Sequence, residues 1–338
     1  MTSAALCDTY DCALFDLDGV VYLGPEPVEG APDGIGALRD RGVRVGFVTN
    51  NAARPPRVVS DQLTRIGIPS EATDIVTSAQ AAAAMLRDSL DPGAKVLVVG
   101  TQALADEVSA VGLTPVPDRS AQPVAVVQGY DPDMTWPRVT DAVHAIQAGA
   151  EWYASNLDPT RPTDLGLEPG VGSQIAAIGC CFPERIPEVA GKPYPPLLRE
   201  TIRRLGGEHP IFVGDRLDTD IEGARRVDMA SMLVFTGAHG MYDLVDADPI
   251  QRPDHIGYDL RALLHPSRVV SRSGNQVSCA GATVSVDGGV LTLNAPLITR
   301  DEQLDALWAV LALVWQIRDA GGAGPDVAAV LQEFTLLH

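Results

Sequence analysis

A chain of 338 residues, 46% hydrophobic and 20% charged, has a globular composition with room for two or three domains, which excludes an intrinsically disordered protein. Its 25 basic and 44 acidic side chains leave a formal net charge of -19, which argues against nucleic acid and anionic membranes as partners and requires any anion site to supply its own cations. Cys7, Cys12, Cys180, Cys181 and Cys279 form an odd set without a C-x-x-C pair, no apolar run is long enough to span a bilayer, and Asp8 and Asp11 stand where a signal peptide carries bases, so a reducing, cytoplasmic setting is expected.

In chain order, residues 12–17 (CALFDL) read as a buried strand bounded by Asp11 and the Asp18-Gly19 turn. Residues 32–41 follow as a helix closed by Gly42, and 43–48 (VRVGFV) as the next strand, the alternation of a parallel α/β sheet. A separate α/β series comes next, with strands expected at 94–100, 124–129 and 151–156 and helices at 101–110 and 138–148. A proline-rich stretch (Pro183, Pro187, Pro193, Pro195, Pro196) borders it, and the first alternation then resumes: helix 197–205, strand 210–213, helix 221–226 and strand 229–235. Beyond residue 265 the pattern changes to alternating strands over 268–294, with a Gly288-Gly289 hairpin turn, and an apolar-periodic helix over 301–318. The fold class expected is α/β: a doubly wound, Rossmann-like parallel core (residues 1–77 and 186–264), an inserted α/β domain (78–185) and a small α+β appendage (265–338).

Four short segments carry chemistry. Asp16 and Asp18, two apart at a strand's carboxyl end, are placed to converge on a crevice at the sheet's switch point, where their mutual repulsion calls for a cation or a shared proton. Thr49, Asn50 and Asn51 end the second strand, where a hydroxyl and backbone N–H groups suit phosphate oxygens, although T-N-N also serves turns and helix caps. Lys192, held in G-K-P, is a candidate for the cation that the net charge demands. Asp215, Asp218 and Asp220 leave one buried strand together, a costly arrangement without a hard cation such as Mg²⁺. A calcium loop starting at Asp218 is excluded, since its twelfth position is Met229 rather than glutamate.

In their order, DLDGV, VTNN, GKP and GDRLDTDI resemble the motifs of the haloacid-dehalogenase-like phosphatases, in the branch with a large α/β cap inserted between the second and third motifs. Within it the chain is similar to the p-nitrophenyl phosphatase, phosphoglycolate and glycerol 3-phosphate phosphatase group, including actinobacterial members with a C-terminal extension. The resemblance covers roughly residues 11–264. It implies Asp16 as nucleophile and Asp18 as acid/base. Mg²⁺ would be held by Asp16, the Asp18 carbonyl and Asp215, phosphate by Thr49, Asn50, Asn51 and Lys192, and Asp220 would be a supporting acid. Cap residues Asn156, Asp158 and Arg161 are candidates for the substrate's organic half.

The function implied is hydrolysis of a small phosphomonoester, glycerol 3-phosphate first and 2-phosphoglycolate as the alternative, with a phosphotransferase, mutase or phosphate-binding regulator as rival readings. A homo-oligomer is left open. Arg318, Gly321 and Ala323 match the R-x-x-G-x-A pattern of acetyltransferases, but the run follows a helix instead of opening one, so the last segment resembles at most a truncated acetyltransferase fold without that activity.

Overall fold

Every residue of Cys12–Phe15 is buried, as in a strand covered on both faces, the setting in which parallel pairing is found. It pairs in parallel with Pro210–Gly214, setting Cys12 opposite Pro210 and Phe15 opposite Val213. Pro210–Gly214 pairs in turn with Ala230–Val234, and that strand with His255–Gly257, again in parallel. The first strand ends short of the expected residue 17. Asp16 makes one last ladder bond, its N–H donating to Val213 O at 2.9 Å, and its carboxylate then leaves the apolar layers.

The computed structural model describes residues 4–163 and 165–337, in two compact units: Met1–Val45 with Glu208–His338, and Gly46–Gly207. In the first unit, helix Ala31–Asp40 follows the opening strand, with Pro32 in its first turn. The expected helix over 221–226 becomes a wide turn, Leu217–Ile221, followed by the short helix Glu222–Arg225. The Asp220 carboxylate accepts the N–H groups of Asp215 and Arg216 and draws the chain into that turn, the kind of widened helical turn often found at functional sites.

The C-terminal part of this unit is an antiparallel meander, Val270–Ser273, Gln276–Cys279, Ala282–Asp287 and Val290–Asn294, paired in sequence order. A twenty-residue helix, Arg300–Asp319, packs on it. A capping box starts this helix: Glu302 N–H donates to Thr299 Oγ1 at 3.2 Å, and Thr299 N–H to the Glu302 carboxylate at 2.9 Å. Its apolar face closes one continuous core, in which Leu304, Leu307 and Leu311 join Phe235, Leu244, Val245 and Ile256. Trp315 Nε1 donates to Leu244 O at 3.0 Å, and the Arg318 guanidinium binds Val245 O and the Asp246 carboxylate. The arginine of the R-x-x-G-x-A run is thus bound to this unit's own backbone and to Asp246.

In the second unit Arg44–Thr49, whose first two residues belong to the first unit, pairs in parallel with Ile75–Thr77, Thr49 lying opposite Thr77. A five-stranded parallel sheet follows, in the order Glu188–Val189, Glu151–Ala154, Ala125–Gln128, Lys95–Val99, Thr114–Val116. Helices Gln102–Ala110, Trp136–Gln147 and Val171–Gly179 accompany it, and Leu97, Val126, Ile146, Trp152 and Ile178 share one core. The edge strands and the hairpin Thr160–Thr163 with Gly166–Pro169 are too short to leave a periodic signal in the sequence. The class is α/β, as expected. Among the described residues no helix is long and apolar enough to cross a membrane.

Candidate active site

Asp16, Asp18, Asp215 and Asp220 belong to the first unit. Ligand atoms of Asp16, Asp215 and Asp220 lie within 4.8 Å of one another. Asp215 and Asp220 are 3% and 1% exposed. Three carboxylates so close repel strongly when ionised, and burial removes the water that would screen them. The backbone meets part of this cost: Asp215 Oδ2 accepts Ala238 N–H at 2.7 Å, and Asp220 Oδ2 accepts Asp215 N–H at 3.2 Å and Arg216 N–H at 3.1 Å.

Two glycines make room for Asp215. A Cβ at Gly237 would stand 2.0 Å from Asp215 Oδ2, and one at Gly19, whose φ is +83°, would stand 2.5 Å from it. An all-oxygen, all-carboxylate donor set in a glycine-walled cradle fits a small hard cation that retains some of its waters, which is the preference of Mg²⁺.

Asp218 does not join the cluster. It pairs with Arg216, whose guanidinium nitrogens donate to its carboxylate at 2.8 and 3.1 Å. Burial works against the Arg216 charge, but its hydrogen bonds to Asp218 and the negative charges of Asp218, Asp220 and Asp215 outweigh it and raise its pKa. Asp18 is exposed on the turn that Gly19 makes, where Gly19 N–H donates to Tyr22 O at 2.9 Å. The resemblance gave Asp220 a supporting place and the Asp18 carbonyl a ligand's place; among the carboxylates it is Asp220 that gathers with Asp16 and Asp215.

The segment Thr236–His239, which no motif marked, also shapes this cluster. Thr236 Oγ1 donates to Gly19 O at 2.6 Å, His239 N–H to Asp215 O at 3.1 Å, and Leu217 N–H to His239 Nδ1 at 2.8 Å. Its only sequence signal is position, as a small-residue run (TGAHG) after a buried strand.

Thr49, Asn50, Asn51, Lys192, Asn156 and Arg161 belong to the second unit. Thr49 is 4% exposed and Lys192 3%, an unusual burial for a lysine. Asn50 grips the backbone of Lys192 from both sides: its Oδ1 accepts Lys192 N–H at 2.8 Å and its Nδ2 donates to Lys192 O at 3.1 Å. Asn50 O in turn accepts Ser78 Oγ–H at 2.5 Å and Asn156 Nδ2–H at 2.6 Å. A Cβ at Gly191 would meet Asn50 Oδ1, Asn156 Cβ and Ser155 O, each at 2.7 Å, so only glycine lets the G-K-P loop approach this closely.

Asn51 and Arg161 are used otherwise. Asn51 N–H donates to Thr49 Oγ1 at 3.1 Å and its Oδ1 accepts Ala53 N–H at 2.9 Å, the turn-forming role its residue type favours. Arg161 sits on the hairpin, 2.6 Å from the Glu168 carboxylate and 4.7 Å from the Tyr130 ring centroid. Asn156 joins Thr49, Asn50 and Lys192 through its bond to the Asn50 backbone.

Comparison with known proteins gives this arrangement a lineage. Residues 13–114 match a family model described as haloacid dehalogenase-like hydrolase, and residues 189–263 match a second model of HAD-hydrolase-like proteins. The chain is 42% identical to D-glycerol 3-phosphate phosphatase of Mycobacterium tuberculosis, over 99% of this chain and 96% of that one. It is 32% identical to the 5'-nucleotidase YutF of Bacillus subtilis, over 73% of this chain and 94% of that one. Among solved structures, a glycerol phosphate phosphatase from M. tuberculosis in complex with magnesium superposes with a TM-score of 0.87 at 38% identity, covering 99% of both chains. A p-nitrophenyl phosphatase from Archaeoglobus fulgidus superposes at 0.70 with 26% identity, covering 75% of this chain and 98% of that one. The four ordered motifs, the gathered carboxylates and these likenesses agree: the chain belongs to the haloacid dehalogenase-like hydrolases, and is a Mg²⁺-dependent phosphatase.

Proposed function

We propose that this phosphatase acts in the cytoplasm on glycerol 3-phosphate, with Asp16 as nucleophile and Asp18 as general acid and base. The observation that carries the reading is the gathering of Asp16 with Asp215 and Asp220 into a site for a hard cation. The substrate is supported by the 42% identity, over nearly the whole of both chains, to an enzyme named for D-glycerol 3-phosphate.

Asp16, the Asp18 carbonyl and Asp215, with Asp220 in support, are the groups that would hold Mg²⁺, which when bound would supply positive charge to offset the anions of the reaction. The resemblance assigns the substrate's phosphate to Lys192, for its positive charge, and to Thr49, for its hydroxyl donor. One Asp16 carboxylate oxygen bonds to phosphorus as the bond from phosphorus to the ester oxygen breaks, and Asp18 gives its proton to the departing alkoxide. Asp18, now a carboxylate, takes a proton from water; the water oxygen attacks phosphorus, the acyl-phosphate bond breaks and Asp16 is restored. A mutase or phosphotransferase would instead pass the phosphoryl group to an organic hydroxyl.

The test is phosphate release from glycerol 3-phosphate, 2-phosphoglycolate, a nucleoside 5'-monophosphate and p-nitrophenyl phosphate, with Mg²⁺ and with a chelator. Glycerol 3-phosphate should give the highest kcat/KM, and only with metal. A higher value for the nucleotide or the glycolate ester would remove the substrate assignment while leaving the chemistry.

A further inference from the structure

Asn50 can hold Lys192 only with its amide the right way round. Turned by half a rotation, its NH₂ would face the Lys192 N–H and its oxygen the Lys192 carbonyl, so that both bonds would become repulsive contacts. The Lys192 backbone favours one orientation, and a further group on the Nδ2 side would hold the amide that way round before the G-K-P loop closes on it.

The Asp158 carboxylate does this. Asn50 Nδ2 donates to both of its oxygens, at 3.2 and 3.3 Å. An ionised carboxylate only accepts, so it attracts the NH₂ end and repels the carbonyl end. Asp158 is itself fixed. Its N–H donates to Asn156 Oδ1 at 3.0 Å, and its carbonyl accepts Gly172 N–H at 2.9 Å. A Cβ at Gly170 would lie 2.4 Å from Asp158 O, and one at Gly172 would lie 2.4 Å from Leu157 O, so the turn that opens helix Val171–Gly179 is closely fitted to this segment.

We propose that Asp158 is a positioning residue for phosphate binding: as an acceptor-only group it sets the orientation of the Asn50 amide, and through Asn50 it fixes the backbone that carries Lys192. The inference rests on Lys192 and the Thr49–Asn50 strand end holding the substrate's phosphate. No bond to substrate is assigned to Asp158.

A double-mutant cycle tests it, with inorganic phosphate as probe. Phosphate affinity is measured in the full-length chain with Mg²⁺, as product inhibition and by calorimetry, for the native protein, D158A, D158N, N50A and the D158A/N50A and D158N/N50A pairs. Loss of a charge-assisted hydrogen bond should weaken phosphate about tenfold in D158A and about threefold in D158N, which keeps an acceptor but can also donate. In the N50A background both substitutions should cost less than twofold. Phosphate affinity within twofold of native in D158A, or a loss of equal size in the N50A background, overturns the proposal. If D158A does not fold, D158N decides by the same comparison.

Hydrogen exchange separates this from the functional reading. The Lys192 amide should exchange faster in D158A or D158N even if the native protein bound no phosphate, an outcome that would remove the phosphate-holding role of Lys192 and Thr49 alone. Unchanged exchange would sink the positioning role of Asp158 alone.

Discussion

Asp16 is the residue at which the chemistry is most easily separated from the fold. An Asp16→Asn chain keeps the size of the side chain but loses an anionic nucleophile, so turnover should drop by a factor on the order of a thousand or more while the circular dichroism spectrum and melting temperature stay near native. Retained turnover would remove Asp16 from its role. Gly237 tests the cradle independently. Its Cβ in Gly237→Ala would stand 2.0 Å from Asp215 Oδ2, which must then move. Disturbing a group that orients a metal ligand commonly weakens metal binding tenfold or more, so the Mg²⁺ concentration for half-maximal activity should rise by about that factor. A titration matching the native curve would show that the Asp215 position is not critical. His255 governs a different property. Burial lowers its pKa, against a smaller opposing pull from Asp254; its Nε2 lies 3.0 Å from the Tyr10 hydroxyl and its Nδ1 3.3 Å from Ser267 Oγ. As pH falls below the ordinary histidine value, about 6.5, the unfolded chain takes up this proton before the folded one does. Stability is therefore full above that pH and is lost below it, until the folded imidazole also protonates. His255→Gln should flatten the dependence of melting temperature on pH between about 7 and 5, and an unchanged slope would assign it to other groups.

Among the elements, the long C-terminal helix is the one whose start is most clearly written in the chain. Thr299 and Glu302 form its capping box, and Thr299→Ala should cost about 1 kcal/mol, seen as a fall of a few degrees in melting temperature. No change would mean that packing alone fixes the helix start. That box and the apolar stripe from Leu304 to Trp315 are local signals, as are the buried strands CALF and IFV and the four motifs at strand ends. Local signals are what a sequence displays, so the order of α and β elements and the acids at positions 16, 215 and 220 could be read directly. The Asn50 grip on Lys192 could not, because it joins a side chain to a backbone 142 positions away through an amide that serves turns equally well. The residues Thr236–His239 went unmarked for a related reason: they work through backbone N–H groups, a glycine without a side chain and two side chains that bond to distant backbone, none of which makes a local pattern. Asp218 shows the reverse error. Spacing alone grouped it with Asp215 and Asp220, but the widened turn sends it outward to Arg216.

At the scale of the whole molecule, the appendage is not a detachable tail, since its helix and sheet share one core with Phe235, Leu244, Val245 and Ile256. Ending the chain near Pro266 would expose these residues together, an apolar patch of a kind soluble monomers avoid. The shortened chain should aggregate or melt at least several degrees lower in a thermal scan, and a monodisperse product of native melting temperature would mean that the first unit folds without its last segment. The net charge of -19 also bears on rate. Added monovalent salt should raise kcat/KM for a dianionic substrate at low ionic strength, because screening weakens the long-range repulsion between enzyme and ester. A monotonic fall would mean that the cations of the site dominate the approach.

Cys12–Phe15 pairs with Pro210–Gly214, 198 positions later by the match of Cys12 with Pro210. On a ribosome adding about 5 to 20 residues each second, the opening strand emerges roughly ten to forty seconds before that neighbour exists. The contiguous stretch Gly46–Gly207 is complete by then, so it has time to fold while Cys12–Phe15 still waits for that partner. The nascent chain thus carries an unpaired apolar strand for much of its synthesis, and Asp16 meets Asp215 and Asp220 only after translation has passed Asp220.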